Sequence, residues 1–398
     1  MAAISKQFLP SMSSGEIEIT DPDRYEDIDR KQERIAAFLA RKKYDGLLIR
    51  QPANFAWFTS GANCPRDAAG ESAAALFVTP EARVVLADNV GSPILFDRAL
   101  WGMGFQLKQR PWHEGRAGLL DDLCRGRAVA CDQPQNGCTV EAAEVASLRL
   151  PLTALECERL RKLGALAAHA VEATARHIEP GQTEADIAGQ LANRLIRHEV
   201  QPLCLHAIAD GRGRAYRSWQ YSENVLKRWC IVSATVSRWG LCCGVTRTVV
   251  FGSPPPDMVV PFQQAAMLLA TGVFFSQAGW PLGTVWQKVK RIYEKQGIAD
   301  EWRFAEQADV AGYLASEVPL FPTSEFALLP RMPVYWHPTV GPAQVGDTIL
   351  VTEEGAEVVT PSSDWPTMSI AVKGQAVLLP DLLVREPPGT PAVALAGS

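Results

Sequence analysis

Positive charge is nowhere in surplus: 39 Lys and Arg face 44 Asp and Glu, a formal charge of -5. With a pI near 5.8 and no basic cluster, the chain has little with which to hold a phosphate backbone, so nucleic acid is not expected as a partner. No C-x2-C pair occurs among the nine cysteines, which leaves out a zinc ribbon and a thioredoxin-like motif. Residues Met1 to Phe8 lack the basic start and apolar stretch of a secretory signal. No run of the roughly 18 uncharged apolar residues that a membrane span requires is expected either. These absences predict a cytoplasmic protein that does not engage a membrane and whose cysteines stay reduced, serving mainly as small core residues. Internal repeats of short period and low-complexity tracts are also missing.

What is present reads as an ordinary globular chain, 47% hydrophobic and 21% charged, and 398 residues exceed what one core usually organises. Four segments are expected: a disordered N-terminus over 1–20, an α/β domain over 21–150, a larger α+β domain over 151–380, and a flexible proline-rich tail over 381–398. In the first domain, apolar spacing predicts a helix over Arg30–Arg41, and strands are expected in the short apolar run after the turn dipeptide of Tyr44-Asp-Gly-Leu-Leu-Ile-Arg and over Ala73–Thr79, Val84–Ala87 and Ala128–Cys131. In the second, a long helix is expected over Leu155–His177, and another follows Thr183, whose hydroxyl can cap it. Apolar runs at Trp229–Val236, Leu241–Phe251, Met332–Trp336 and Thr348–Thr352 predict strands of a curved antiparallel sheet. Helices over Val260–Phe275 and Val285–Gln296 are expected to pack on it.

Several strings occur in a telling order. Leu155-Glu-Cys-Glu-Arg-Leu-Arg-Lys precedes Ile178-Glu-Pro-Gly-Gln-Thr-Glu-Ala-Asp-Ile; then come Gly244-Val-Thr-Arg-Thr-Val-Val-Phe-Gly, Gly312-Tyr-Leu-Ala-Ser-Glu-Val-Pro and Asp347-Thr-Ile-Leu-Val-Thr-Glu-Glu-Gly. Upstream stand Tyr44-Asp-Gly-Leu-Leu-Ile and Asn54-Phe-Ala-Trp-Phe-Thr-Ser-Gly. Together these resemble the Xaa-Pro peptidase and creatinase family over about residues 30 to 370. The resemblance implies a pita-bread catalytic domain preceded by a smaller α/β domain, a small-molecule or short-peptide substrate, and a homodimer.

Active peptidases of that family hold two metal ions between two aspartates, a histidine and two glutamates, and the ions activate water. Registered on the motifs, the aspartate positions fall on Ser233 and Gly244 and the histidine on Asp309. The glutamate positions fall on His337 and Gly346, and a substrate-binding histidine falls on Ser316. The resemblance therefore implies a member without metal ligands, and neither metal nor cofactor is expected. Creatinase-like chemistry works without metal but uses a histidine ahead of the first aspartate strand, where this chain reads Arg214-Ala-Tyr-Arg-Ser-Trp-Gln-Tyr.

His337 is the candidate base, since imidazole titrates near neutral pH, with Asp309 to orient it. Cys242 is the candidate nucleophile, because strand alternation puts it on the face of Gly244. Ser233, Gly244, Ser316, Glu317, Tyr335 and Arg247 are candidate substrate contacts, although buried charges such as Arg247 and Glu317 more often form internal ion pairs. His206, in an apolar stretch, reads as a core histidine. The expected function is metal-independent hydrolysis of a C–N bond in a small amino-acid-derived or amide substrate. A catalytically silent binding or scaffold protein stands as the alternative, and a dinuclear aminopeptidase as the third.

Overall fold

A computed structural model describes residues 19–64, 72–114, 117–218, 220–362 and 364–386. The expected N-terminal tail lies outside them except for its last two residues, and so does the C-terminal tail beyond Glu386. The chain divides into two compact units, residues 1–145 and 146–398, a few residues ahead of the boundary expected from sequence.

The first unit is built on α1 (Pro22–Lys42), which starts earlier than its apolar spacing suggests. Asp21 accepts a hydrogen bond from the Arg24 amide, and Pro22 occupies the first turn, where no N–H is needed. Ile28, Ile35, Phe38 and Leu39 form its buried stripe. A six-stranded sheet has the order β4 (Gln106–Arg110), β3 (Arg83–Asp88), β2 (Ala74–Val78), β1 (Gly46–Ile49), β5 (Val129–Cys131) and β6 (Cys138–Val140). The expected β2–β3 hairpin is present, with Ala74 opposite Ala87 and Val78 opposite Arg83.

In the second unit, α2 (Ala154–His177) and α3 (Glu184–Ile196) each begin with a capping box, Thr153 with Glu156 and Thr183 with Asp186. The sheet consists of β7 (Gln201–Ala209), β8 (Trp229–Arg238), β9 (Leu241–Phe251), β10 (Ala308–Val310), β11 (Val318–Pro319), β12 (Pro333–Trp336), β13 (Gly346–Val351), β14 (Ala356–Val358) and β15 (Leu383–Arg385). Its main path runs β11-β10-β12-β13-β9-β8-β7, with β14 on β13 and β15 on β9. The strand β15 lies in the segment expected to be a flexible tail: Leu383, Val384 and Arg385 pair in parallel with Val249, Val250 and Phe251. Composition alone conceals this, because a short strand at a sheet edge needs only three ordinary residues.

Two helices, α4 (Pro256–Phe275) and α5 (Leu282–Lys295), supply much of the core. Phe262, Leu269, Trp286 and Tyr293 pack with Val334, Trp336 and Ile349 of the sheet. Contrary to the sequence expectation, the 20-residue α4 is long and apolar enough to cross a membrane, with a mean hydropathy of 1.6 over an 18-residue stretch, yet 56% of that stretch is buried within the protein. A helix that is hydrophobic on most sides is what a large core also requires. The close fit is visible at Gly272, where a β-carbon would stand 2.5 Å from the Trp336 ring.

Candidate active site

Directly paired residues in neighbouring strands point to the same side of a sheet. The register aligns His206 of β7 with Ser233 of β8, Ser233 with Thr246 of β9, and Thr246 with Gly346 of β13. Across the sheet, Tyr335 of β12 pairs with Asp309 of β10. A cavity of about 530 Å³, suited in size to a small ligand, is lined by His206, Ser233, Asp309, Ser316, Tyr335 and His337. Cys204, Arg217, Ser218 and Glu306 also reach it.

At its floor, the Nε2 atom of His337 lies 2.9 Å from Oδ2 of Asp309, and the Ser316 hydroxyl donates to Oδ1 of the same carboxylate at 2.5 Å. An ionised carboxylate only accepts, so this geometry places the imidazole proton on Nε2 and leaves Nδ1 with its lone pair. The backbone amide of His337 donates to the Gln307 carbonyl at 2.9 Å, which fixes the residue just past the end of β12. A positioned base held by an acidic partner can take a proton from a nucleophile and return it to a leaving group.

Tyr335 occupies the centre. Its ring lies 4.7 Å from the His337 ring, and its hydroxyl is 3.3 Å from the Thr246 hydroxyl, which in turn is 2.8 Å from that of Ser233. Burial pushes the phenol up to about 12, against the opposing effect of hydrogen bonds to Thr246 and Ser233. The phenol stays protonated at neutral pH. A β-carbon on Gly244 would stand 2.4 Å from the Tyr335 ring, and one on Gly346 would stand 3.1 Å from it. The two glycines thus make room for the tyrosine. This arrangement does not fit a pair of ions. Of the positions registered as ligands, only Asp309 and His337 bear a carboxylate or an imidazole, and these bond to each other, while the Ser233 hydroxyl is engaged with Thr246. Among the described residues no group of three or more His, Cys, Asp or Glu converges as a metal site would require.

Four candidates from the sequence stand away from the lining. Cys242 shares a strand face with Gly244, but it pairs with Ser237 further along the strand. It is buried at 3% exposure, and its thiol is pushed up to about 12 by burial, so it is not a nucleophile for this cavity. Gly244 is covered by Tyr335 and offers no contact to a substrate. Arg247 is committed to Glu172 at 3.1 Å and Asp347 at 2.9 Å, with further hydrogen bonds to Thr360 and Ser362. Glu317 is held by Arg149 and accepts from the Tyr313 amide at 2.9 Å. Both charges are internal ion pairs, whose partners would be left buried and uncompensated if they turned to a ligand.

Of the cavity residues outside the candidate list, His206, Cys204 and Arg217 carry the chemistry. His206 is no core histidine: it faces the cavity from β7, two residues from Cys204, whose Sγ is 3.1 Å from its Nε2. Their strand spacing of two was the available signal. Arg217, in the loop between β7 and β8, donates from Nη2 to Glu301 at 2.5 Å, while its Nε and Nη1 are buried with no hydrogen-bond partner among the described residues. Unmet donors of this kind cost about 1–3 kcal/mol in the free protein, more when charged, and an anionic ligand would satisfy them.

The model for metallopeptidase family M24 matches residues 158–353. The chain is similar to the probable dipeptidase PepE of Mycobacterium tuberculosis, at 22% identity over 217 residues, which is 52% of this chain and 58% of the relative. The chain thus spans little more than half the length of the curated relatives it matches. In structure it is similar to the Xaa-Pro dipeptidase from Bacillus anthracis, with a TM-score of 0.70, 18% identity and coverage of 90% of this chain and 100% of that one. It is also similar to the dipeptidase PepE from Mycobacterium ulcerans, with a TM-score of 0.70, 20% identity and coverage of 93% and 100%.

Proposed function

We propose, for a chain whose residues 158–353 match the model of metallopeptidase family M24 and whose fold is the pita-bread fold seen in Xaa-Pro dipeptidases, a hydrolase that cleaves a C–N bond of a small amino-acid-derived or amide substrate without a metal ion. The observation that carries this reading is the His337–Asp309 pair on the cavity floor, where the family's ions are expected and where Tyr335 fills the space between Gly244 and Gly346. His337 Nδ1 takes a proton from the water that attacks the acyl carbon and returns it to the leaving group, while Asp309 balances the imidazolium. Arg217 receives the substrate carboxylate through its two unpaired donors. The reading includes a cytoplasmic homodimer; nine cysteines without disulfides suit a reducing compartment.

The test is hydrolysis of a panel of Xaa-Pro dipeptides and N-acyl amino acids by the purified protein, with and without EDTA. Turnover is expected to be unchanged by the chelator and to fall by roughly 10²–10⁴ in His337→Ala, the usual worth of a positioned acid–base group. Activity that vanishes with EDTA and returns with added metal, or that survives loss of His337, overturns the proposal. Tight binding of panel members with no turnover would instead mark a binding protein.

A further inference from the structure

The proposed hydrolase reading has water attack an acyl carbon but names no side chain that attacks first, and β7 presents one. A bulge at Leu203 lets Pro202 pair with Val236 and Cys204 with Thr235, which sets Cys204 and His206 on the same face as Thr235 and Ser233. All four line the cavity. Cys204 Sγ lies 3.1 Å from His206 Nε2, and the Gln220 amide reaches the sulfur from 3.9 Å. A thiol within hydrogen-bond reach of an imidazole, on the wall of a substrate-sized cavity, is the arrangement that covalent catalysis requires. The second imidazole nitrogen argues against a packing role, because His206 Nδ1 is buried without a hydrogen-bond partner among the described residues, whereas a histidine retained for packing would have both nitrogens satisfied.

We propose that Cys204 and His206 form a nucleophile–base pair that takes the acyl group of the substrate as a thioester. The inference rests on the hydrolase reading and deepens it by assigning the atom that attacks the substrate first. The sulfur of Cys204 bonds to the carbonyl carbon and its proton passes to His206 Nε2. The C–N bond then breaks with its electron pair on nitrogen, and the amine leaves carrying the proton that His206 received. Water next adds to the thioester, the C–S bond breaks, the acid departs, and the thiol regains its hydrogen from the added water. Nothing beyond water is consumed.

Burial raises the Cys204 thiol from its ordinary value. Burial, and secondarily the neighbouring His337, lowers His206. The resting pair is therefore a neutral thiol and a neutral imidazole, and the proton moves as the S–C bond forms rather than beforehand. Five residues of the same cavity, Arg217, Glu306, Asp309, Tyr335 and His337, complete the ionisable groups around the pair.

The test uses p-nitrophenyl acetate, an activated ester that acylates nucleophilic thiols, on the whole protein at neutral pH, with peptide mass spectrometry to locate the acetyl group. Expected is a stoichiometric burst of p-nitrophenolate with acetyl on Cys204, lost in Cys204→Ala. In His206→Gln, Cys204 acetylation should slow by roughly tenfold or more while Cys64, also half-buried, labels at its wild-type rate. Acetylation of Cys204 no faster than of Cys64 in the unaltered protein overturns the proposal, and this comparison depends on no variant folding. On the amide panel, turnover kept by Cys204→Ala but lost by His337→Ala sinks the thiol and leaves the hydrolase reading standing. A Cys204 burst with no amide consumed does the reverse.

Discussion

The His337 imidazole and the Asp309 carboxylate meet at 2.9 Å across adjacent strand ends, and the second oxygen of Asp309 is held by Ser316. Asp309 thus sets both the ring orientation and the tautomer of His337. In Asp309→Asn the amide can donate as well as accept, so the tautomer preference is lost while the shape remains. The expected result is a fall in kcat of roughly 10²–10⁴ with little change in KM, read from steady-state kinetics on any hydrolysed panel member. A change in KM alone would assign Asp309 to binding.

Gly244 and Tyr335 are a matched small and large pair, with the ring where a β-carbon at 244 would be. Gly244→Ala is expected to destabilise the protein by about 1–3 kcal/mol through overpacking. Adding Tyr335→Ala should recover part of that loss, since the clash is with the ring itself. Urea unfolding of both single variants and the double variant gives the coupling; strict additivity would mean the ring does not set the cost.

Much of this architecture was legible in the sequence, and the remainder was hidden for identifiable reasons. The long helix after Thr153 and the strands around Gly244 carry local signals, namely a capping box and unbroken apolar runs. His337 and Asp309 were reached by registering ordered motifs. Strand alternation placed Cys242 on the correct face but said nothing of depth along β9, which puts it beside Ser237 rather than Ser233. Arg217 sits in a loop without periodicity, so only its unmet donors reveal it. His206 was masked by apolar flanks, although two of those neighbours point away from the cavity by alternation.

Arg217 is tied to Glu301 through one nitrogen and keeps two donors without a partner among the described residues. For a substrate with a free carboxylate, Arg217→Gln should raise KM by roughly 10- to 150-fold, the equivalent of about 1.5–3 kcal/mol for hydrogen bonds to a charged group. The same substrate as its methyl ester should bind the parent and the variant alike. An equal loss for acid and ester would make Arg217 a structural partner of Glu301.

His206 also predicts how stability responds to acid. Its imidazole is lowered from 6.5, first by burial and then by the neighbouring His337. Between 6.5 and the lower folded value, the unfolded chain binds a proton that the folded protein refuses. The unfolded state therefore holds more protons in that window, so unfolding free energy rises with pH there and is lost as pH falls through it. The His206→Gln variant removes this titration, and its urea midpoints should decline less steeply than those of the parent below pH 6.5. Cys204, Arg217, Asp309 and His337 face the same cavity and remain in both proteins, so the difference between the two slopes isolates the imidazole. Parallel slopes would mean that His206 is as easily protonated in the folded protein as in the unfolded chain, and the neutral resting state assigned to the Cys204–His206 pair would fall with that result.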